Sequence, residues 1–326
     1  MIKTHRLTKL LALMAFTYSF AMPASAQEFP SDRPIHLVVG YVPGGATDAA
    51  ARIIADQLSQ NLGQSVIVEN RPGAGGVIAD QYVAKAKPDG TTILLTTMGS
   101  LAVAPQLMKL TYDPIKDLAP ITMAVKFPLV LITPSSLKIK TLKEFIDLAK
   151  KQDGQLNFGS PGVGSASHLA GEMFNYQTGV EILHVPYKGG GPVMVDLLSQ
   201  RIAAYYASPT SAQAQLKAGK IVALATTGPT RSDFLPDVPT IAESGYPEFN
   251  AVNWYAVVAP GNTPTPILER WNKELVKVLN TPDVQAKLEE QGLFPEPGTR
   301  DELGRYLETE SARWGKVIKA RHISLQ

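Results

Sequence analysis

The chain has 326 residues, 31 Lys plus Arg against 29 Asp plus Glu, 44% hydrophobic residues and no cysteine. Without cysteine, a disulfide framework and a lipid-anchored lipoprotein are both excluded, and without basic runs or a strong net charge there is no electrostatic footprint for nucleic acid or a membrane surface. Gly and Pro are frequent but spread between apolar segments, the pattern of many short connections rather than of a disordered tract.

At the N-terminus, Lys3, Arg6 and Lys9 precede an apolar run over 10–22, and Ala24-Ser25-Ala26 follows with small residues at A-x-A spacing. This reads as a secretory signal cleaved after Ala26. The run is too short for a membrane span, which needs roughly 20 apolar residues. Removing residues 1–26 takes away three basic and no acidic residues, leaving 28 Lys plus Arg against 29 Asp plus Glu, a net charge of −1. A mature chain of this length predicts two domains.

From Ile35 onward, apolar β-branched runs alternate with helical patterns, the grammar of βαβ units and of a parallel sheet covered on both faces. Strands are predicted at 35–39, 66–69 and 92–96, with helices at 48–61 and 77–86. The long apolar stretch 121–133, interrupted by Phe127-Pro128, is predicted to cross into a second lobe. There the pattern repeats, with helix 142–150, strand 156–158, helix 165–178, strand 182–186, helix 192–198 and strands 202–206 and 222–226. After the loop Leu235-Pro236-Asp237-Val238-Pro239, residues 251–259 read as a return crossing, with Trp254 placed to sense lobe movement. Pro264, Pro282 and Thr299 then open three helices that end near Ile318. The expected fold class is α/β and bilobal, with residues 27–126 and 252–326 in lobe 1, 127–251 in lobe 2, and two crossing strands between them.

Two glycine turns carry the chemistry. In Gly40-Tyr41-Val42-Pro43-Gly44-Gly45-Ala46-Thr47-Asp48 an apolar strand breaks into a glycine pair and enters a helix, which points unpaired backbone N–H groups, at the positive end of a helix dipole, into a cleft. Asp48 reads as the N-terminal cap and an ordering residue. The second turn, Gly159-Ser160-Pro161-Gly162-Val163-Gly164-Ser165-Ala166-Ser167-His168, offers three hydroxyls among glycines before another helix, which suits a carboxylate held by neutral donors. It is no nucleophile elbow, because G-x-S-x-G is absent and Ser165 and His168 share a helix face. His168 reads as a packing or hydrogen-bonding residue.

Other motifs are discounted. Gly73-Ala74-Gly75-Gly76-Val77-Ile78 puts Ile78 where a dinucleotide fingerprint needs its last glycine, and Arg71 beside it reads as a structural ion-pair partner. His36 and His184 lack metal-ligand neighbours in sequence. Tyr187 or Lys188 can line the cleft or face solvent, and the rim after the strand at 202–206, with Tyr205, Tyr206, Ser208 and Thr210, is aromatic and hydroxylated rather than charged.

With Gly44-Gly45-x-x-Asp48, Val68-Glu69-Asn70-Arg71-Pro72-Gly73-Ala74-Gly75-Gly76, Pro88-Asp89-Gly90, Tyr112-Asp113-Pro114, His184-Val185-Pro186-Tyr187-Lys188-Gly189 and Leu235-Pro236-Asp237-Val238-Pro239-Thr240, the chain from Pro34 to about Trp314 resembles the tripartite tricarboxylate transporter receptors, also called Bug proteins. The resemblance implies a fold like type II periplasmic binding proteins, with the ligand between the lobes and the crossing strands as hinge. It implies a periplasmic, monomeric receptor with no cofactor and no metal, which captures a small organic carboxylate, aliphatic or aromatic, for integral-membrane permease subunits. It also implies that the two loops grip the ligand largely through backbone amides. The binding set is then Tyr41, Gly45, Ala46, Thr47 and Asp48 in lobe 1, joined by Gly99 and Ser100 beyond the third strand. Lobe 2 contributes Ser160, Gly164, Ser165, Ser167, His168, Tyr206 and Ser208. Ala207 stands where amino-acid-binding members present an acid, which argues against an ammonium-bearing ligand. The rival readings are an input for a sensor kinase and a secreted serine hydrolase.

Overall fold

Strands that are neighbours in sequence are repeatedly separated in space by another strand of the same sheet. The computed structural model describes residues 33–324; the expected export signal and its expected cleavage site at Ala26 lie outside them. The chain begins β1 (Ile35–Val39), α1 (Ala46–Leu62), β2 (Val66–Asn70), α2 (Val77–Ala84), β3 (Thr92–Thr97), a π turn (Gly99–Val103) running into α3 (Ala104–Leu107), and β4 (Leu118–Pro128). It continues β5 (Val130–Pro134), α4 (Leu142–Lys151), β6 (Asn157–Ser160), α5 (Ala166–Thr178), β7 (Leu183–Pro186), α6 (Gly190–Leu198), β8 (Ala204–Ala207), α7 (Pro209–Lys217) and β9 (Ile221–Thr226). It ends β10 (Val252–Pro260), α8 (Thr265–Leu279), α9 (Pro282–Glu289), β11 (Phe294–Pro295) and α10 (Arg300–Ala320).

Two sheets result, of order β11-β4-β10-β3-β1-β2 and β7-β6-β8-β5-β9. Each is mixed rather than parallel, which corrects the sequence expectation. β1 lies parallel to β2 and β3, and β6 parallel to β7 and β8, but β10 runs antiparallel to β3 and β4, and β5 antiparallel to β8 and β9. The cause is the crossing. Only Leu129 separates β4 from β5, so the chain enters the second sheet in the direction in which it left the first. A strand buried on both faces reads as the same apolar run whichever way its neighbours point.

Both crossings meet at Thr227, which is fully buried. Its N–H donates to the Leu129 carbonyl at 2.9 Å, and its Oγ1 accepts the Leu129 N–H at 2.8 Å. On its other side it accepts the Ala251 N–H through its carbonyl, and its hydroxyl donates to the Ala251 carbonyl, both at 2.9 Å. One threonine thus ties the outgoing and returning strands together at the junction of the sheets.

The core of the first lobe is anchored by Trp254, Trp271 and Trp314, all fully buried. Trp254 and Trp314 donate their indole N–H groups to Glu310 at 3.0 and 3.1 Å. Trp254 therefore packs on α10, on the face of β10 opposite the cavity-lining Asn253 and Tyr255. Arg71 takes the structural place expected of it, paired with Glu69 and stacked 3.5 Å over the Tyr82 ring.

Candidate functional site

A cavity of about 460 Å³ lies between the lobes, where the carboxyl ends of β1, β3, β6, β7 and β8 deliver the chain into helical segments. Alternating strands and helices force this convergence, because each helix must begin where its strand ends. The first residues of five helical segments line the cavity: Gly45 to Thr47 entering α1, Gly99 of the π turn, Ser165 to Ser167 entering α5, Gly189 to Gly191 entering α6, and Ser208, Thr210 and Ser211 entering α7. No Asp, Glu, Lys, Arg or His is among the lining residues. Backbone amides and helix dipoles supply the positive potential.

The α1 turn is shaped by Gly44 at φ 87°, a left-handed conformation that favours glycine. Gly45 is the N-cap residue and makes no side-chain cap. Asp48, expected to be the cap, works instead from inside the first turn, where its carboxylate accepts the Gly44 N–H at 3.0 Å, two bonds from Arg52 at 2.9 and 3.0 Å, and the Asn70 amide at 3.0 Å. Burial pulls its pKa upward, but the hydrogen bonds from Arg52, Gly44 and Asn70 outweigh that and hold it below its ordinary value. The carboxylate stays charged behind the turn, out of the cavity lining.

The α5 turn is ordered differently. Ser165 caps the helix, its Oγ accepting the His168 N–H at 3.3 Å, and His168 Nδ1 accepts the Gly164 N–H at 3.1 Å. The His168 ring stacks on His184 with centroids 3.8 Å apart, and His184 Nε2 lies 2.6 Å from Ser160 Oγ. Burial, with the stacked His168 ring as a second cause, pushes the His184 pKa down to about 3. Ser167 donates to the Tyr206 carbonyl at 2.6 Å, fastening α5 to β8.

Of the expected binding residues, the cavity brings together Tyr41, Gly45, Ala46, Thr47, Gly99, Ser165, Ser167 and Ser208. Six others lie off its lining. Asp48 and His168 sit behind their turns as acceptors, and Ser160 is turned into the lobe by Gly162 and His184. Ser100 lies beneath the π turn among Thr96, Thr97 and the buried Asp80. Gly164 is where the lobes touch, since a Cβ on Gly99 would come within 3.0 Å of its carbonyl. Tyr206 points to the other face of β8, packing on Phe158 and Phe174.

Its neighbour Tyr205 takes the cavity side, where Ser167 and Ser211 also line the wall. Alternation along a strand decides which tyrosine faces which way, and a four-residue strand leaves the register open until the sheet forms. Tyr255 and Asn253 reach the same cavity from β10. Burial raises the pKa of both cavity tyrosines well above its ordinary value, so each stays a neutral donor. Tyr187 is held off the lining by Asp196 at 2.8 Å, while the glycines after it face inward.

The family model described as "Tripartite tricarboxylate transporter family receptor" matches residues 50–323. The protein BugT of Bordetella pertussis is 39% identical over 318 residues, covering 96% of this chain and 97% of that protein. Among solved structures, R. palustris Rpa4515 with adipate superposes with a TM-score of 0.87 at 36% identity, over 91% of this chain and 99% of that one. MatC from Rhodopseudomonas palustris with bound malate gives 0.82 at 31% identity, over 88% and 99%. Shared sequence along nearly the whole length, on the same bilobal frame, places this chain in the tripartite tricarboxylate transporter receptor family, among the solute-binding Bug proteins.

Proposed function

We propose that the cavity captures a small organic carboxylate and that the closed receptor presents it to the integral-membrane permease subunits of a tripartite tricarboxylate-type transporter. The observation that carries this reading is the lining itself, five helical N-termini and no charged side chain. Such a wall stabilises negative charge and gives an ammonium group no counter-ion. The relatives solved with adipate and malate support the same ligand class.

Closure follows from where the donors sit. The α1 and π-turn amides belong to the first lobe and those of α5, α6 and α7 to the second, so one anion satisfies both sets only when the lobes meet. In this proposal residues 27–126 with 252–326 move against 127–251, about the Thr227 junction, as a monomer in the periplasm after cleavage at Ala26. The lobes capture without turnover. The Ser160 and His184 pair, an arrangement resembling part of a hydrolase, lies off the cavity lining in the second lobe with Ser160 fully buried.

The test is thermal unfolding of the mature protein, refolded to release copurified ligand, against aliphatic, aromatic and amino carboxylates. A ligand at 100 times its Kd adds about 2.7 kcal/mol, so one carboxylate class should raise Tm and amino acids should not. A flat response across the panel sinks the reading.

A further inference from the structure

Helices α6 and α7 carry the cavity well past its amide-lined end. Both start at the rim and keep lining it beyond their first turns, α6 with Met194, Val195 and Leu198, and α7 with Ser211 and Gln215. Ser208, Ser211 and Gln215 fall three and four residues apart and share one face of α7. The seven steps from Ser208 to Gln215 rise roughly 10 Å along the helix. The groove therefore has an apolar wall on α6 and a polar wall on α7.

The polar wall is satisfied at one end only. Ser208 and Ser211 bond to each other at 2.7 Å, but the Gln215 Oε1 atom is buried with no hydrogen-bond partner. An unpaired buried amide oxygen costs about 1–3 kcal/mol, and a partner supplied from the cavity removes that cost. An apolar strip leading to an unsatisfied polar group has the shape of a ligand with an apolar middle and a polar far end.

We infer that Gln215 measures the ligand, selecting an elongated carboxylate. One carboxylate is held by the helix N-termini, an apolar chain lies along Met194 and Leu198, and a second hydrogen-bonding group, a hydroxyl or a second carboxyl, meets the Gln215 amide. This rests on the carboxylate reading above and adds length and a distal group to it. A four-carbon diacid leaves Gln215 unsatisfied, and a simple fatty acid reaches it with a methyl group.

Calorimetric titration of the refolded mature protein with succinate, hexanoate, 6-hydroxyhexanoate and adipate separates these ligands. The expected result is that the two six-carbon ligands with a distal polar group bind at least about tenfold more tightly than hexanoate and succinate, as a site built around a hydrogen bond discriminates against analogues lacking it. In Gln215→Leu that advantage over hexanoate should vanish while hexanoate itself still binds. In Gln215→Asn, which withdraws the amide by one methylene, the preference should move to the seven-carbon homologues. Equal binding of hexanoate and 6-hydroxyhexanoate by the wild type, or an unchanged ratio in Gln215→Leu, overturns the inference and leaves the carboxylate reading standing. Failure of all four ligands to bind the wild type overturns the inference, and the carboxylate reading falls with it only if aromatic carboxylates also leave Tm unmoved.

Discussion

The turn at 44–47 in the first lobe and the turn at 162–165 in the second both bring a helix N-terminus to the cavity, yet one is ordered by a buried carboxylate and the other by an imidazole. Asp48 holds its turn through the Gly44 N–H, and its charge is balanced behind the cavity by Arg52. His168 holds its turn through the Gly164 N–H, which requires an unprotonated Nδ1. A negative charge within one turn of an anion site is tolerable only if a cation neutralises it, whereas a neutral acceptor needs no such partner.

The contrast extends one layer deeper. Beneath the first lobe's π turn lies Asp80, almost completely buried, and burial raises its pKa to about 7 although the Ser100 and Thr96 hydroxyls donate to it. Beneath the second lobe's turn lies His184, pushed down to about 3. One lobe buries an acid and the other half-buries a base, so the two respond to pH with opposite sign.

Four experiments would break or sharpen this comparison. The largest effect is expected from Gly45→Leu. Gly45 has an ordinary φ of −91° and a Cβ there meets nothing closer than 4.0 Å, so the fold should survive while the side chain enters the cavity. Ligand affinity should fall at least about 100-fold, or roughly 2.7 kcal/mol, with Tm unchanged; unaltered affinity would remove the 44–47 turn from the site. Next, Asp48→Ala strands the Gly44 N–H and the Asn70 amide, and should cost about 2–3 kcal/mol in urea unfolding. A cost below half a kcal/mol would show that the glycines order the turn alone.

His168→Phe keeps the ring but deprives the Gly164 N–H of its acceptor and Glu172 of the imidazole 3.7 Å away, for an expected cost of about 1–2 kcal/mol, smaller than at Asp48 because Glu172 keeps Arg321 as its partner. If the two variants cost the same, the distinction between charged and neutral ordering fails. The gentlest change, at most about 1.4 kcal/mol per pH unit for a single proton, lies in the slope of the pH profile. The folded pKa of Asp80 is above its ordinary 3.8, so its stabilisation is complete below about pH 4 and is lost as pH rises through 7. The folded pKa of His184 is below its ordinary 6.5, so its stabilisation is complete above about pH 6.5 and is lost as pH falls toward 3. The two contributions oppose each other between about pH 4 and 6.5, so the unfolding free energy of Asp80→Asn should rise with pH there and that of His184→Phe should fall, against a flatter wild-type profile, read between pH 3.5 and 8. A variant that leaves its own slope unchanged refutes the assignment for that lobe.

Much of this was legible residue by residue. Strand and helix positions follow from apolar runs and cap residues, as at Thr299, where the capping box with Glu302 starts α10. Both glycine turns were readable, because a strand that breaks into glycine before a helix has few other uses. Helix α7 was not read, although Ser208-Pro209 is a cap followed by proline at the first helical position. Its polar, alanine-rich sequence carries little apolar periodicity to announce it, since its burial is against a cavity and the opposite lobe. There Thr210 and Gln213 donate to the carbonyls of Gln291 and Glu290 at 2.9 and 3.0 Å.

The sequence by itself determined the two α/β blocks, the backbone anion turns and the family, because these depend on local periodicity and on the conformations that only glycine adopts readily. The tertiary structure alone decided that β5 and β10 run against their neighbours, that Tyr205 rather than Tyr206 faces the cavity, and that Met194 of α6 and Gln215 of α7 line one cavity. Each of these is a relation between segments distant in the chain, fixed by strand register and lobe packing, and no local pattern of residues encodes it.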